Sequence, residues 1–297
     1  MKQQLNFFRY SIFAFFAVIL SGCDSESPTS VNDQGPQNLG DGIIINHSRA
    51  KLSLIQANDI LKAKEQLHIA YGHTSHGSQI TTGMQGLINF KGDTYSFNNG
   101  GNDGALDLRD RPFSGASDLG NPNRTAWATA TRNYLQNNSE INVIIWSWCG
   151  QVSSASEEDI NTYLNLMNGL EVDFPNVKFV YMTGHLDGSG EEGNLNKRNE
   201  QIRNYCKTNK KILYDFADIE SYDPNGLTNY MLMNANDNCD YDSDSNGSRD
   251  ANWAINWQSS HTEDVDWYSC SSAHSQSLNA NRKAYAAWNL WVSLIHN

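Results

Sequence analysis

Short runs of consecutive apolar residues recur along the chain, and each is followed by a stretch whose apolar positions return every three or four residues. Residues 67–71 form the first run. The turn Gly72-His73-Thr74-Ser75-His76-Gly77 comes next, then a helical stretch over 79–88. Val143-Ile144-Ile145-Trp146 has the unbroken apolar character of a strand covered on both faces. After it, Ser156 with Asp159 predicts a capped helix whose Ile160, Tyr163, Leu164 and Met167 share one side. Strand, helix and strand are predicted again over 177–182, 196–207 and 212–216. Ser53 with Gln56 predicts a cap for an earlier helix carrying Leu54, Ala57, Ile60 and Leu61, and Ala284, Trp288, Trp291 and Ile295 stripe a C-terminal one. Strands alternating with helices predict an α/β fold, a three-layer α/β/α sandwich on a mainly parallel sheet with right-handed crossovers. Ligands in such sheets sit beyond the carboxyl ends of the strands, here residues 72–78, 147–151 and 183–187.

The beginning of the chain follows a different pattern. Lys2 and Arg9 precede an apolar run over 10–20, which is about half the roughly 20 residues a spanning helix needs. Charged start, short apolar run and small residues before a cysteine predict a signal peptide over 1–22. Leu20-Ser21-Gly22-Cys23 resembles the bacterial lipobox, which implies acylation of Cys23 and an exported protein anchored to a membrane, on the periplasmic side of the inner membrane or at the outer membrane or cell surface. Asp24 resembles an inner-membrane retention signal. Residues 23–42 are rich in Ser, Pro, Asn, Gln and Gly, too polar to bury a core, and predict a tether. The remainder, 43–297, is expected to be one domain with an Asp/Asn-rich insertion around 235–269.

Composition narrows the partners. The net charge of −12 becomes more negative once Lys2 and Arg9 leave with the signal, which argues against nucleic acid. Four cysteines follow Cys23. In an exported protein they permit disulfides, and Cys239 with Cys270, which flank the loop-rich region, is the expected pair; Cys149 at a strand end reads as a buried thiol.

A serine between a strand and a helix N-terminus is well placed as a nucleophile, because unpaired N–H groups there stabilise an oxyanion. Ser75 and Ser78 both occupy such a turn; Ser75 is the choice and Ser78 the expected helix cap. A serine needs a base, and His274 lies just before the last helix in Cys270-Ser271-Ser272-Ala273-His274-Ser275-Gln276-Ser277-Leu278-Asn279. This block, with Ala284, Ala286 and Ala287 behind it, resembles the closing block of the SGNH (GDSL-type) hydrolases, whose base is the histidine before the final helix. Residues 72–77 resemble their nucleophile block in its His-x-Ser-x-Gly variant. The resemblance implies Ser75 as nucleophile, His274 as base and an asparagine-like oxyanion donor, for which Gln151 after Trp148-Cys149-Gly150 is the counterpart. Gly100, Gly101 and Gly120 are candidates for the glycine donor. Gly100-Gly101-Asn102-Asp103 reproduces the superfamily's Gly-x-Asn-Asp literally, but lies too near the nucleophile in sequence. The family's aspartate three residues before the histidine is Ser271 here. His274 is then oriented by another group, Asp264 or Asp266, or it works in a dyad, or the site is inactive.

Two further constellations are visible. His73, His76, His185 and Asp187 stand at predicted strand ends, where with Gly150 they are expected to line the substrate pocket or, alternatively, to hold a catalytic metal. Asp242, Asp244, Asn246, Gly247 and Asp250 match a calcium loop with Trp253 in place of its last glutamate, which predicts a structural calcium and brings Trp253, Trp257 and Trp267 toward the site. The resulting expectation is a serine esterase or acetylesterase acting on acylated carbohydrate or small esters, needing no catalytic cofactor. Its alternatives are a non-catalytic carbohydrate-binding lipoprotein and a metal-dependent hydrolase.

Overall fold

A computed structural model describes residues 42–296, all within one compact unit spanning Gly35–Asn297. The signal peptide, Cys23 and nearly all of the tether lie outside the described residues. Among the described residues no helix is long and apolar enough to cross a membrane.

The elements alternate as the apolar runs imply. They are β1 (Ile43–Ile45), α1 (Ala57–Gln66), β2 (His68–Gly72), α2 (Ser78–Lys91), β3 (Phe97–Asn98), β4 (Leu106–Asp110), α3 (Ala126–Asn137), β5 (Val143–Trp146), α4 (Glu157–Asp173), β6 (Lys178–Met182), α5 (Asn194–Thr208), β7 (Ile212–Tyr214) and α6 (Phe216–Glu220). A small antiparallel pair, β8 (Asp240–Tyr241) and β9 (Ala251–Asn252), then leads to α7 (Trp253–Ser259) and α8 (Ser277–Leu294). Strands β1 to β7 form one sheet in the order β1-β7-β6-β5-β2-β4-β3, every neighbouring pair parallel. The result is a three-layer α/β/α sandwich.

Alternation of side chains along each strand explains the two layers. From β5, Val143 and Ile145 join the core under α1, α2 and α8, while Ile144 and Trp146 join the core under α3, α4 and α5. Helix α8 is enclosed almost all round, so its Ala280, Ala284 and Ala287 let it press against α2. It also carries a charge inside: the Lys283 ammonium is fully buried, donates to Glu220 at 2.6 Å and to Gln79, and lies 3.7 Å from the centre of the Phe216 ring.

Several expectations are corrected. Ser53 sits in a 3-10 turn, Leu52–Leu54, and α1 starts at Ala57 after Gln56 with no side-chain cap. The Ser156 capping box on α4 is present in full. Cys149, Cys206, Cys239 and Cys270 are all free thiols; Cys239 faces Ser275 Oγ at 3.6 Å, and Cys270 faces the Ser277 carbonyl and the Asn281 amide. Trp253 is buried with Cys239 and Leu278, and Trp257 and Trp267 pack against that small cluster, so these rings build the core of the insertion.

Candidate active site

Strand β2 lies between β4 and β5, whose chain connections leave it on opposite sides, and this switch point opens a crevice beyond its carboxyl end. The turn after β2 fills it. Its shape is fixed from below: Tyr71 Oη donates to the Gly77 carbonyl at 2.9 Å, and His73, buried, contacts Asp110 Oδ1 through Nε2 at 2.5 Å and the Thr74 carbonyl through Nδ1 at 2.9 Å. Gly77 has no alternative, because a Cβ there would stand 2.2 Å from Ser147 Oγ and 2.4 Å from His73 Cβ. Thr74 Oγ1 donates to the buried carboxylate of Asp118 at 2.7 Å.

Ser75 is thereby presented at the mouth, and His274 Nε2 lies 3.0 Å from its Oγ across 199 positions of sequence. His274 has a left-handed backbone, φ 62°, which a non-glycine residue adopts only when its surroundings impose it. The imposing group is Gln79, buried in α2, whose Nε2 donates to the Ala273 carbonyl at 2.5 Å while its Oε1 accepts from Lys283. The chain from Glu220 through Lys283 and Gln79 therefore holds the peptide unit ahead of the histidine.

Ser78 is the first residue of α2, and its Oγ donates to the Ser75 carbonyl at 2.6 Å; it shapes the helix start rather than facing His274. The helix begins its bonds with the N–H groups of Ser78 and Gln79, which reach Thr74, Ser75 and His76 carbonyls. Among the described residues the N–H groups of Ser75, His76 and Gly77 make no hydrogen bond, so they are free to receive a developing oxyanion.

Gln151 is placed differently from the expectation. Its Nε2 donates to Asp118 Oδ1 at 3.1 Å and its Oε1 accepts from Cys149 N–H at 2.8 Å, so its amide braces the floor and is not offered to substrate. Of the glycine candidates, Gly120 adjoins Gln151 but gives its N–H to Asp118 at 2.8 Å, while Gly100 donates to Asp107 between β3 and β4. Asp264 and Asp266 belong to an exposed turn, where Asp266 accepts from Thr262 N–H at 2.9 Å. Among the described residues no carboxylate bonds the second ring nitrogen of His274, so the pair is a dyad.

A stack of three imidazoles runs inward from that dyad. His76 lies in the middle, its ring 4.6 Å from that of His274 and 3.7 Å from that of His185. His76 Nδ1 is 3.3 Å from Cys149 Sγ and its Nε2 is 3.0 Å from Asp237 Oδ2. Burial holds the His76 pKa below the ordinary imidazole value against the pull of Asp237. Burial pushes the Asp237 carboxyl up, but the bond from His76 and the nearby charges of His185 and His76 leave it below the ordinary carboxylate range. Cys149 Sγ also lies 3.8 Å from Ser75 Oγ. Asp187, expected in this cluster, instead accepts from Ser189 N–H at 2.9 Å, and His73 is engaged by Asp110. Gly150 lines the approach to His185, where a Cβ would come within 3.9 Å of Nε2.

The acidic loop uses its carboxylates on its own backbone. Asp242 accepts from the N–H groups of Asn246 and Gly247, Asp244 from Asn246, and Asp250 from Ser243. Among the described residues, the three-ligand grouping of His, Cys, Asp or Glu side chains is His76, His185 and Asp237, with Asp242, Asp244 and Asp250 outside it.

Asp237 was invisible to sequence reasoning as a site residue, because it reads as the first acid of a solvated run. Cys149, Asp118 and Gln79 were missed as well. Only the position of Cys149 at a strand's carboxyl end carried a signal.

Beside Ser75 is a cleft of about 510 Å³, reaching Arg111, Phe113, Ser117 and Trp146, with the Phe113 ring stacked on Trp146 at 4.2 Å. It offers an aromatic wall, a guanidinium and hydroxyl groups to a small polar ligand. Compared with protein-family models, curated proteins and solved structures, the chain matches none of them.

Proposed function

We propose that the chain is a serine esterase of the SGNH-like type, exported and anchored through Cys23, that removes acyl groups from carbohydrate or small esters. The observation that carries the reading is the 3.0 Å approach of His274 Nε2 to Ser75 Oγ at the switch point of the sheet. In this reading Ser75 Oγ attacks the acyl carbonyl carbon as its proton passes to His274 Nε2. The oxyanion is received by the free N–H groups of the turn, and the ester C–O bond breaks as His274 returns the proton to the leaving alcohol. Water then repeats the sequence and frees the acid. The cleft beside Ser75 suits a single sugar ring or a short acyl chain rather than a polymer buried along its length. A dyad lacks the orienting carboxylate, whose removal from a triad costs about 10⁴-fold, so turnover is expected to be slow.

The test is hydrolysis of p-nitrophenyl acetate with Ser75→Ala and His274→Ala. Ser75→Ala should abolish turnover and labelling by a fluorophosphonate, and His274→Ala should lower turnover by about 10²–10⁴-fold. Turnover surviving both substitutions, or retained glycan binding with no hydrolysis of any acyl ester, would overturn the proposal.

A further inference from the structure

We infer that His76, His185 and Asp237 form a zinc site beneath the Ser75–His274 pair, a site that does not depend on Ser75 being a nucleophile. One ligand atom from each residue lies within 4.8 Å of the others. The arrangement alone is compatible with a hydrogen bond between His76 and Asp237, but His185 is not explained by it.

His185 Nδ1 is 2.8 Å from the Leu186 carbonyl, and since a carbonyl only accepts, the proton of the ring sits on Nδ1. In the neutral ring Nε2 is then a bare lone pair. It is buried in a residue only 8% exposed, and it has no hydrogen-bond partner. Buried acceptors are normally satisfied, and this one lies beside a second imidazole and a carboxylate, where a cation would satisfy it once the two rings, stacked face to face at 3.7 Å, turn their edges to it.

The surroundings match the second shell of such a site. Histidines that bind a metal hold their other nitrogen on a carbonyl, carboxylate or similar group, which fixes the ring. Here His185 Nδ1 is held by Leu186 and His76 Nδ1 faces Cys149 Sγ at 3.3 Å, so in each ring Nε2 is the nitrogen available to an ion. Two imidazoles and one carboxylate favour zinc over calcium or magnesium, which take oxygen ligands. Three protein ligands leave a fourth position, as in zinc sites that act on substrate, and Gly150 lies next to His185 Nε2, where a Cβ would stand at 3.9 Å.

The full chain, stripped with a chelator and dialysed, would be titrated with zinc against a chromophoric competitor, with bound metal counted by mass spectrometry. One equivalent should bind, and His185→Gln and Asp237→Asn should each weaken binding by about tenfold or more, while Ser75→Ala binds as the wild type does. Cobalt(II) should give the intense visible bands of a tetrahedral site in the wild type, a readout that needs no variant to fold. Binding well below one equivalent, affinity unchanged in both variants, or a pale octahedral cobalt spectrum would overturn the site.

Discussion

Replacing Lys283 with methionine isolates the electrostatic cost of the core that supports the candidate site. The ammonium has no exposed surface, Glu220 opposite it is 1% exposed, and the two are 2.6 Å apart. Burial pulls the Lys283 pKa down and Glu220 opposes that pull. Methionine fills nearly the same volume against Phe216, so little packing is lost, but Glu220 is left with the Leu186 N–H as its remaining donor in a dry interior. Breaking a buried pair in this way costs about 3–5 kcal/mol, because an unpaired carboxylate must stay buried or take up a proton. At about 2–4 °C per kcal/mol for a domain of this size, Tm should fall by roughly 6–20 °C. Adding Glu220→Gln should recover most of that loss, since the amide oxygen keeps the Leu186 N–H and the amide nitrogen can donate to Gln79 Oε1. Urea unfolding followed by circular dichroism gives the comparison, with an unchanged m-value as the sign that stability alone has moved. A single variant within about 1 kcal/mol of the wild type, or a double variant no better than the single, would refute the reasoning. The wild-type position of His274 gives a second readout: losing Lys283 frees Gln79, so under the proposed function the single variant should also lower p-nitrophenyl acetate turnover in the folded protein.

Asp107 gives a pH test remote from the site. Burial pushes its carboxyl up, but bonds from His68, Arg109 and the Gly100 N–H outweigh this and hold it below the ordinary carboxylate range. Its stabilising effect is therefore present above about pH 4 and is lost as pH falls through the lower folded value. Asp107→Asn should lower Tm at neutral pH and converge on the wild type in acid; a gap that widens in acid would reverse the assignment. Denaturing thiol titration should count Cys149, Cys206, Cys239 and Cys270 as free, whereas a missing pair would restore the Cys239–Cys270 bridge. In the native protein, burial pushes the thiols of Cys206, Cys239 and Cys270 up, the last to about 11, so Cys149 should be alkylated first. Calcium and EGTA should leave Tm unchanged, since the loop carboxylates already hold loop amides; a rise of several degrees with calcium would return that loop to ion binding.

The parts of this molecule legible in its sequence are those where one local rule decides the outcome. Val143 to Trp146 is apolar at every position because helices cover both faces, and its predicted limits coincide with β5. Ser75 and His274 follow from the rule that ligands gather beyond the carboxyl ends of parallel strands, combined with a histidine just ahead of the last helix. Where local pattern and tertiary need diverge, the sequence misleads. Strand β4 escapes because Asp107 is a buried polar residue in its middle, satisfied by partners from two other segments and by Arg109 of its own strand. Helix α3 escapes because Ala128, Ala130 and Thr131 pack a close contact with small side chains that carry little apolar signal. The same divergence explains the site. Asp237, exposed in composition but partnered to His76 across 161 positions, can be recognised only once the fold brings the insertion back over β2. Gln79 and Lys283 sit on helix faces where sequence pattern expects apolar side chains, and they carry the restraint that sets the backbone before His274. Placing a charged residue and an amide inside α2 and α8 sacrifices apolar burial where the two helices meet, and the compensation is a fixed backbone ahead of His274, whose ring lies 3.0 Å from Ser75 Oγ.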